Sequence, residues 1–313
     1  MECEGFNQRC LSLLSLPMFR TFSGGDGMKG VILAAGDGSR IRSVTYGAFP
    51  KELLPIGNVP TIRFPLEALR LEQIKNVLIV IAARTKHGII DGLQGGRKFN
   101  MELHYAVQER GPGIKTGLGE AILTAKSWTG NDDFVAACGD SILCDFSSSN
   151  PLGCLNPLIN LHLKLGSIAT ILAYPLKISP ERYGVLKFSD YKVENGVMFG
   201  NVARMVEKPT ESEAKLLKPN GYYYIASGYY VFSPKIYSYI ERTKPGLKGE
   251  IQITDAMELA VEEGEKVAAV VHARCKNGDL FPCQYWDVGL PGDYKNAVRY
   301  LLEKDVDKWI DSQ

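Results

Sequence analysis

The residues best suited to chemistry lie in one stretch, LAAGDGSRIRSVTYGAFPKELLPIG, from Leu33 to Gly57. An apolar run stops at Gly36-Asp37-Gly38, Arg40 follows, and Pro50-Lys51 leads into ELLPIG. Glycines carry no Cβ, so their backbone N–H groups can approach an anion. Arginine grips phosphate oxygens in a planar fork, and lysine adds a point charge. Two aspartates stand in comparable places: Asp140 in CGDS, straight after the apolar run DFVAAC, and Asp287 in YWDVG. A carboxylate at the end of a buried strand suits Mg²⁺ held through one or two carboxylates and substrate phosphates. Singly, each residue also fits a plainer role, as a surface cation, a turn residue or a helix cap. Together they describe a site for a Mg²⁺–polyphosphate.

Two familiar phosphate motifs are excluded. The dinucleotide pattern G-x-G-x-x-G needs glycine at position 41, which is Ile41. The P-loop needs a Gly-Lys pair, and the chain has none. No general base suggests itself either. His87, His104, His162 and His272 show no catalytic or metal-ligand spacing and read as structural or surface residues.

The elements that must position these residues alternate from Met28 onward. GVILAA and NVLIVIAA are short continuous apolar runs, suited to strands buried on both faces. TIRFPLEALRLEQI places Ile62, Leu66 and Leu69 on one helical face, with Pro60 and Pro65 near its first turn. ELHYAVQ alternates, with Leu103, Tyr105 and Val107 to one side, and GLGEAILTAKSW reads as one helix. DFVAAC and SIATILAYPL are further strands. This order predicts an α/β fold: a doubly wound, mostly parallel, Rossmann-like mixed sheet with helices on both faces. Ligands then bind at the C-terminal strand ends, where Gly36 and Asp140 stand.

The second half reads as a smaller antiparallel portion. YGVLKF, GVMF and ARMVEK are short strands, and YYYIASGYYVFS is a longer one followed by the helix PKIYSYIERT. QITDAMELAVEEG is a helix with Thr254 or Asp255 available as its cap, and the last helix runs from Pro291 to the end. Residues 1–27 read as a loose extension. LSLLSLPMF at 11–19 has a poorly basic flank and no A-x-A cleavage site, which argues against targeting. The rest, 28–313, reads as one domain in three portions, 28–150, 151–290 and a terminal helix at 291–313.

Composition narrows the function classes. A net charge of +1 gives no electrostatic case for nucleic acid or an anionic membrane. None of the seven cysteines forms a C-x-x-C pair, and their scatter fits a reducing, cytoplasmic setting. No stretch is long and apolar enough to span a bilayer.

With those residues in view, the chain resembles the sugar-phosphate nucleotidyltransferases, specifically the UTP–glucose-1-phosphate uridylyltransferase and glucose-1-phosphate thymidylyltransferase group. MKGVILAAGDGSRIRSVT…PKELLPIGNVPTI looks like that group's opening signature. The likeness continues in order through GLGEAI, CGDSIL, YGVLKF, MVEKP, SGYYVFSP, GEIQITDAM and YWDVGLPGDY. It covers nearly all of residues 28–300.

The resemblance implies transfer of a nucleotidyl group from a nucleoside triphosphate to a sugar-1-phosphate, with Mg²⁺ as cofactor, in a homo-oligomer, with 28–150 mainly for nucleotide and 151–290 mainly for sugar phosphate. Leu33, Ala34, Ala35 and Gly36 are then expected to line base and ribose. Gly38 and Arg40 fall on the triphosphate and Lys51 on its outgoing phosphates. Gln108 reads the base edge with Gly117 packed beside it, and Asp140 and Asp287 ligate the metal. Tyr183, Gly184, Glu207 and Gly228 fall in the sugar pocket, and Lys208 holds the sugar phosphate. Without the family, Glu207 and Lys208 would read as an exposed charge pair. The chain departs from the pattern at Ser43, where the family usually has proline. Its Arg40-to-Lys51 and Gln108-to-Gly117 stretches are longer, and NVP stands where a lysine often precedes the proline. UTP with glucose-1-phosphate is the favoured substrate pair, and dTTP is the alternative. A catalytically silent regulatory relative and an unrelated nucleotide enzyme on a similar fold are the readings from other classes.

Overall fold

The structure is a computed structural model and describes residues 27–82, 86–109, 111, 113–218, 220–246 and 249–311. The segment 1–26, and with it most of the expected N-terminal extension, lies outside the described residues.

The strands that matter for the site are β1 Lys29–Ala34, β2 Asn76–Ala82, β3 Glu102–Gln108, β4 Phe134–Cys138, β5 Ser141–Cys144, β6 Ala169–Leu176, β7 Gly184–Glu194, β8 Val197–Glu207, β9 Tyr223–Phe232, β10 Val267–Val271 and β11 Gln284–Asp287. Nine of them form one sheet in the order β3-β2-β1-β4-β9-β6-β10-β8-β7. β3, β2, β1 and β4 are mutually parallel. β9 runs antiparallel to both of its neighbours, and β10 is parallel to β6. β7 and β8 form a long antiparallel hairpin at the far edge, and β7 also pairs with β9. The expected mixed, mostly parallel sheet with an antiparallel portion is therefore present.

The apolar runs are continuous because both faces are covered. In β1, Val31 and Leu33 enter one core and Ile32 and Ala34 the other. The first core is closed by helices Leu118–Leu123, Ile236–Arg242 and Ile253–Glu262, and the second by Arg63–Leu71, His87–Leu93 and Leu155–Leu165. Ile62, Leu66 and Leu69 are all fully buried, as their spacing predicts. A third core joins Ile41, Phe64, Ile142 and Trp286 to the C-terminal helices. Among the described residues no helix is long and apolar enough to cross a membrane.

Four local readings need correction. GLGEAILTAKSW is two helices, Leu118–Leu123 and Lys126–Thr129. The Thr124 hydroxyl donates back to the Glu120 carbonyl at 3.0 Å, and Ala125 N–H closes a tighter bond to Ile122, which ends the first helix. GVMF and ARMVEK are one strand, β8, whose register slips at Asn201–Arg204 absorb the polar middle without ending the pairing. The last helix stops at Glu303. Asp305 turns left-handed, and Val306–Asp311 folds back, so that Val306 and Ile310 reach the third core. In ELHYAVQ the alternation fades. Leu103 is buried, but Val107 is half-exposed, because β3 is an edge strand.

Two of the histidines are buried. His162 Nδ1 lies 2.9 Å from the Thr170 hydroxyl. His272 follows β10, and its Nε2 has no hydrogen-bond partner among the described residues. Burial pushes the His272 pKa down to about 4 from 6.5, opposed by the nearby Asp145 charge. The imidazole is thus neutral in the fold but charges readily when unfolded. The unfolded chain binds the extra proton between about pH 6.5 and pH 4, so stability falls as pH falls through that window. One group with this shift contributes up to about 3 kcal/mol. His272→Leu is expected to flatten the decline of melting temperature between pH 6.5 and 4.5. Parallel declines in variant and wild type would show that His272 carries none of it.

Candidate active site

Antiparallel pairing accounts for the meeting of the two aspartates. Asp140 directly precedes β5 and Asp287 ends β11, and the two strands pair with Asp287 opposite Ser141. Val288 N–H then donates to the Asp140 carbonyl at 2.9 Å. The two carboxylates come from distant parts of the sequence and end side by side, both largely buried.

The glycine loop closes over them. Leu33 and Ala34 belong to β1, and the Leu33 carbonyl accepts from Gly139 N–H at 3.0 Å. Ala35 to Gly38 leave the ladder, and Gly38 adopts a φ of +68°, which glycine tolerates without strain. Lys51 extends under this loop, so that a Cβ on Gly36 would lie 3.3 Å from its Nζ. The Lys51 ammonium donates to Asp140 Oδ2. Arg40, half-exposed, places its guanidinium 3.2 Å from Asp287 Oδ2.

The charges set one another. Burial alone would depress the Lys51 pKa, but Asp140 and Glu52 hold it above the usual lysine range. Burial would raise the Asp140 carboxyl, yet the Lys51 charge and hydrogen bond keep it below its ordinary value. Asp287 is pushed up, by burial first and by the neighbouring Asp140 charge second, with Arg40 opposing. Two crowded carboxylates of this kind need cations, and two side chains supply them.

The donor set also fits Mg²⁺. It offers two hard carboxylates facing a gap that Gly289 leaves open. A Cβ on Gly289 would lie 2.7 Å from Asp287 Oδ1, 3.0 Å from an Arg40 nitrogen and 3.2 Å from Asp140 Oδ2. Among the described residues no three or more His, Cys, Asp or Glu side chains converge into a closed metal cage. Two carboxylates suit an ion that keeps part of its coordination for substrate oxygens.

A second cluster lies beside the first. Gly184 and Glu207 face each other across β7 and β8. Thr254 Oγ1 donates to Glu207 Oε2 at 2.9 Å, and Lys208 Nζ sits 2.9 Å from Glu207 Oε1. A Cβ on Gly184 would press within 2.7 Å of Thr254 Oγ1. Glu207 is therefore a held, largely buried carboxylate, unlike the exposed pair its sequence alone would suggest. Lys208 takes a left-handed φ of +47°, an uncommon state for lysine, and its N–H donates to the Tyr183 carbonyl at 3.0 Å. Tyr183 joins the two clusters. Burial and then the Asp287 charge push its phenol up to about 12. Gly228, at φ +90°, is where β9 slips register. A Cβ there would come within 2.8 Å of Ser141 Oγ and 3.1 Å of Cys138.

Gln108 ends β3 with its side chain buried, and Nε2 lies 3.4 Å from the Gly117 carbonyl. Gly117 has φ +112°, and a Cβ would stand 2.4 Å from the Ile251 carbonyl oxygen. Ile251 N–H donates to Thr116, and Gly119 N–H donates to Ile251. The GLGEAI and GEIQIT motifs thus dock backbone to backbone.

Two assignments change. Neither Thr254 nor Asp255 caps its helix, which starts at Ile253 behind Gln252 with no side-chain cap. The Thr254 hydroxyl serves Glu207 instead. Sequence reasoning also passed over Gly289, Glu52 and Lys86. Gly289 follows Asp287 closely in the quoted YWDVGLPGDY, which was the available signal. Lys86 gave none.

Comparison with known proteins identifies the family. The nucleotidyl transferase family profile matches residues 29–304. A low-salt glycan biosynthesis nucleotidyltransferase of Haloferax volcanii is 30% identical across 88% of this chain, which spans 66% of that relative's length. A putative UTP–glucose-1-phosphate uridylyltransferase of Methanocaldococcus jannaschii is 32% identical over 82% of this chain and 90% of its own. Among solved structures, an apo UDP-glucose pyrophosphorylase superposes with a TM-score of 0.68 at 25% identity, covering 89% of this chain and 99% of the other. A glycine loop and paired aspartates at the strand ends, with a profile match over nearly the whole sheet, lead to one conclusion: the chain belongs to the nucleotidyl transferase family.

Proposed function

We propose that the protein transfers a uridylyl group from UTP to glucose-1-phosphate in a Mg²⁺-dependent reaction that releases pyrophosphate. The observation that carries this reading is the convergence of Arg40, Lys51, Asp140 and Asp287 at the Gly36–Gly38 loop, with the Gly184–Glu207–Lys208 cluster linked to it through Tyr183. Such a site can neutralise two anions that otherwise repel each other.

In this reading an oxygen of the sugar phosphate attacks the α-phosphorus, and pyrophosphate departs in line. The attacking group is already ionised near neutrality, which fits a site with no histidine at its centre. Gly38 and Arg40 hold the triphosphate, and Lys51 neutralises the outgoing phosphates. Lys208 takes the sugar phosphate, while Tyr183, Gly184, Glu207 and Gly228 shape the sugar pocket. Gln108 and Gly117 face the base. Asp140 and Asp287 would hold Mg²⁺, which supplies charge neutralisation and alignment of phosphate oxygens. The residues act by positioning and electrostatic stabilisation.

The uridylyl preference rests on the uridylyltransferase-like GLGEAI and GEIQITDA segments, and the Methanocaldococcus relative's name supports it. A Streptomyces griseus relative, 28% identical, is named a glucose-1-phosphate thymidylyltransferase, which keeps dTTP as the second reading. Uracil and thymine differ by one methyl, and such a contact discriminates by only about 1–3 kcal/mol. UTP, dTTP, GTP, ATP and CTP competed against one another with glucose-1-phosphate should give UDP-glucose as the main nucleotide sugar when the products are separated, since every triphosphate releases the same pyrophosphate. Preference for GTP with mannose-1-phosphate would overturn the specificity while leaving the reaction class intact.

A further inference from the structure

Glu52 and Lys86 form an ion pair with both side chains almost wholly out of water, at 1% and 2% exposure. A buried ion pair is a weak source of stability, and well-packed apolar residues of the same volume often replace one at no loss. The fold therefore gives no reason for the pair, but its position does. Lys51 and Glu52 are neighbours on a single short turn, Lys51–Leu53, whose side chains diverge. The Lys51 ammonium goes to Asp140, and the Glu52 carboxylate goes to Lys86.

A single turn has few hydrogen bonds of its own, so its rotation depends on what anchors it. Here Leu54 N–H closes the turn on the Lys51 carbonyl at 3.1 Å, and Ile62 N–H donates to the Glu52 carbonyl at 2.8 Å. The Glu52 side chain wedges against Gly139, where a Cβ would lie 3.2 Å from Glu52 Cγ. Gly139 directly precedes Asp140. Lys86 stands just beyond β2, immediately before helix His87–Leu93, and Leu53 packs on that helix at Gly88, where a Cβ would lie 3.2 Å from it. Among the described residues Glu52 Oε1 is buried without a hydrogen-bond partner, and Oε2 is held by Lys86.

We propose that Glu52 and Lys86 are positioning residues whose buried ion pair fixes the turn carrying Lys51, so that the Lys51 ammonium points at Asp140 and the glycine loop. The proposal rests on the role given to Lys51 above. Without Lys86 the Glu52 carboxylate is an unpaired charge beside Lys51 and competes with Asp140 for its ammonium. Removing both charges ends the competition but also removes the tether.

The test compares Lys86→Met with the double variant Glu52→Gln/Lys86→Met, measuring melting temperature, kcat and KM for the triphosphate. The double variant is expected to melt within a few degrees of wild type, with KM within threefold and kcat lower by about tenfold. Lys86→Met is expected to lose more, about 100-fold in kcat, the scale of a misplaced catalytic group. The double variant thus partly rescues the single one, which a merely structural pair would not do at constant melting temperature. A double variant with wild-type kcat overturns the proposal, even if Lys86→Met fails to fold. Wild type inactive on every triphosphate and sugar-1-phosphate tried would overturn the assigned reaction instead, so the two failures are distinguishable.

Discussion

Asp140→Ala should leave a folded protein with no measurable nucleotidyl transfer at any Mg²⁺ concentration. Asp140 is the carboxylate that Lys51 keeps below its ordinary pKa, so it is ionised across the neutral range. Its loss removes one of the two proposed metal ligands and leaves Asp287 as the remaining carboxylate, with Arg40 and Lys51 near it. It also strands the Lys51 ammonium in a buried position without its main partner. Circular dichroism should be unchanged, because the Asp140 backbone, not its side chain, makes the bond to Val288 that joins β5 to β11. Near-normal turnover in this variant would remove Asp140 from the metal site.

The second large effect is expected at the cations. Lys51→Ala should lower kcat/KM by about 10²-fold or more, the usual loss when a preorganised electrostatic donor is deleted. Arg40→Ala should be milder. Arg40 is half-exposed, whereas Lys51 is nearly enclosed, and charge–charge interactions weaken with exposure. Arg42, two residues on at the start of the short helix Arg42–Thr45, is a second cation that can share the role of Arg40. Steady-state kinetics of both variants at saturating sugar phosphate would decide the matter. If both stay within a few-fold of wild type, the Gly36–Gly38 loop is not a phosphate cradle.

Sequence carried the sheet because buried parallel strands read as uninterrupted apolar runs, and their ends stand out where chemistry begins. Gly36 and Asp140 were visible for that reason. The meeting of Asp140 with Asp287 was not visible physically, since register between β5 and β11 is a long-range choice that no local pattern encodes. Only the order of family-like motifs pointed to it. Thr254 reads as a cap in sequence because the residues that cap helices also serve as hydrogen-bond donors to a buried carboxylate, and local sequence cannot tell the two uses apart. Lys86 carries no local signal, because a lysine after a strand is ordinarily solvated. Its burial follows from Glu52, far away in sequence and near in space. The break at Thr124 was hidden by good helix formers on both sides.

The pairing of β5 with β11 also fixes when in the life of the chain this site can exist. Everything needed to bring Lys51 to Asp140, namely β1, β4 and the turn between them, is synthesised in the first half. Asp287 comes from near the other end. At about 5–20 residues per second, the two aspartates emerge on the order of ten seconds apart. Until then β5 has no β11 to pair with, and the third core, which needs Trp286 and the last two helices, is also unfinished. Strands β1 to β4 are therefore all synthesised early. The pairing of Asp140 with Asp287 must wait for β11, together with the packing that closes the C-terminal end.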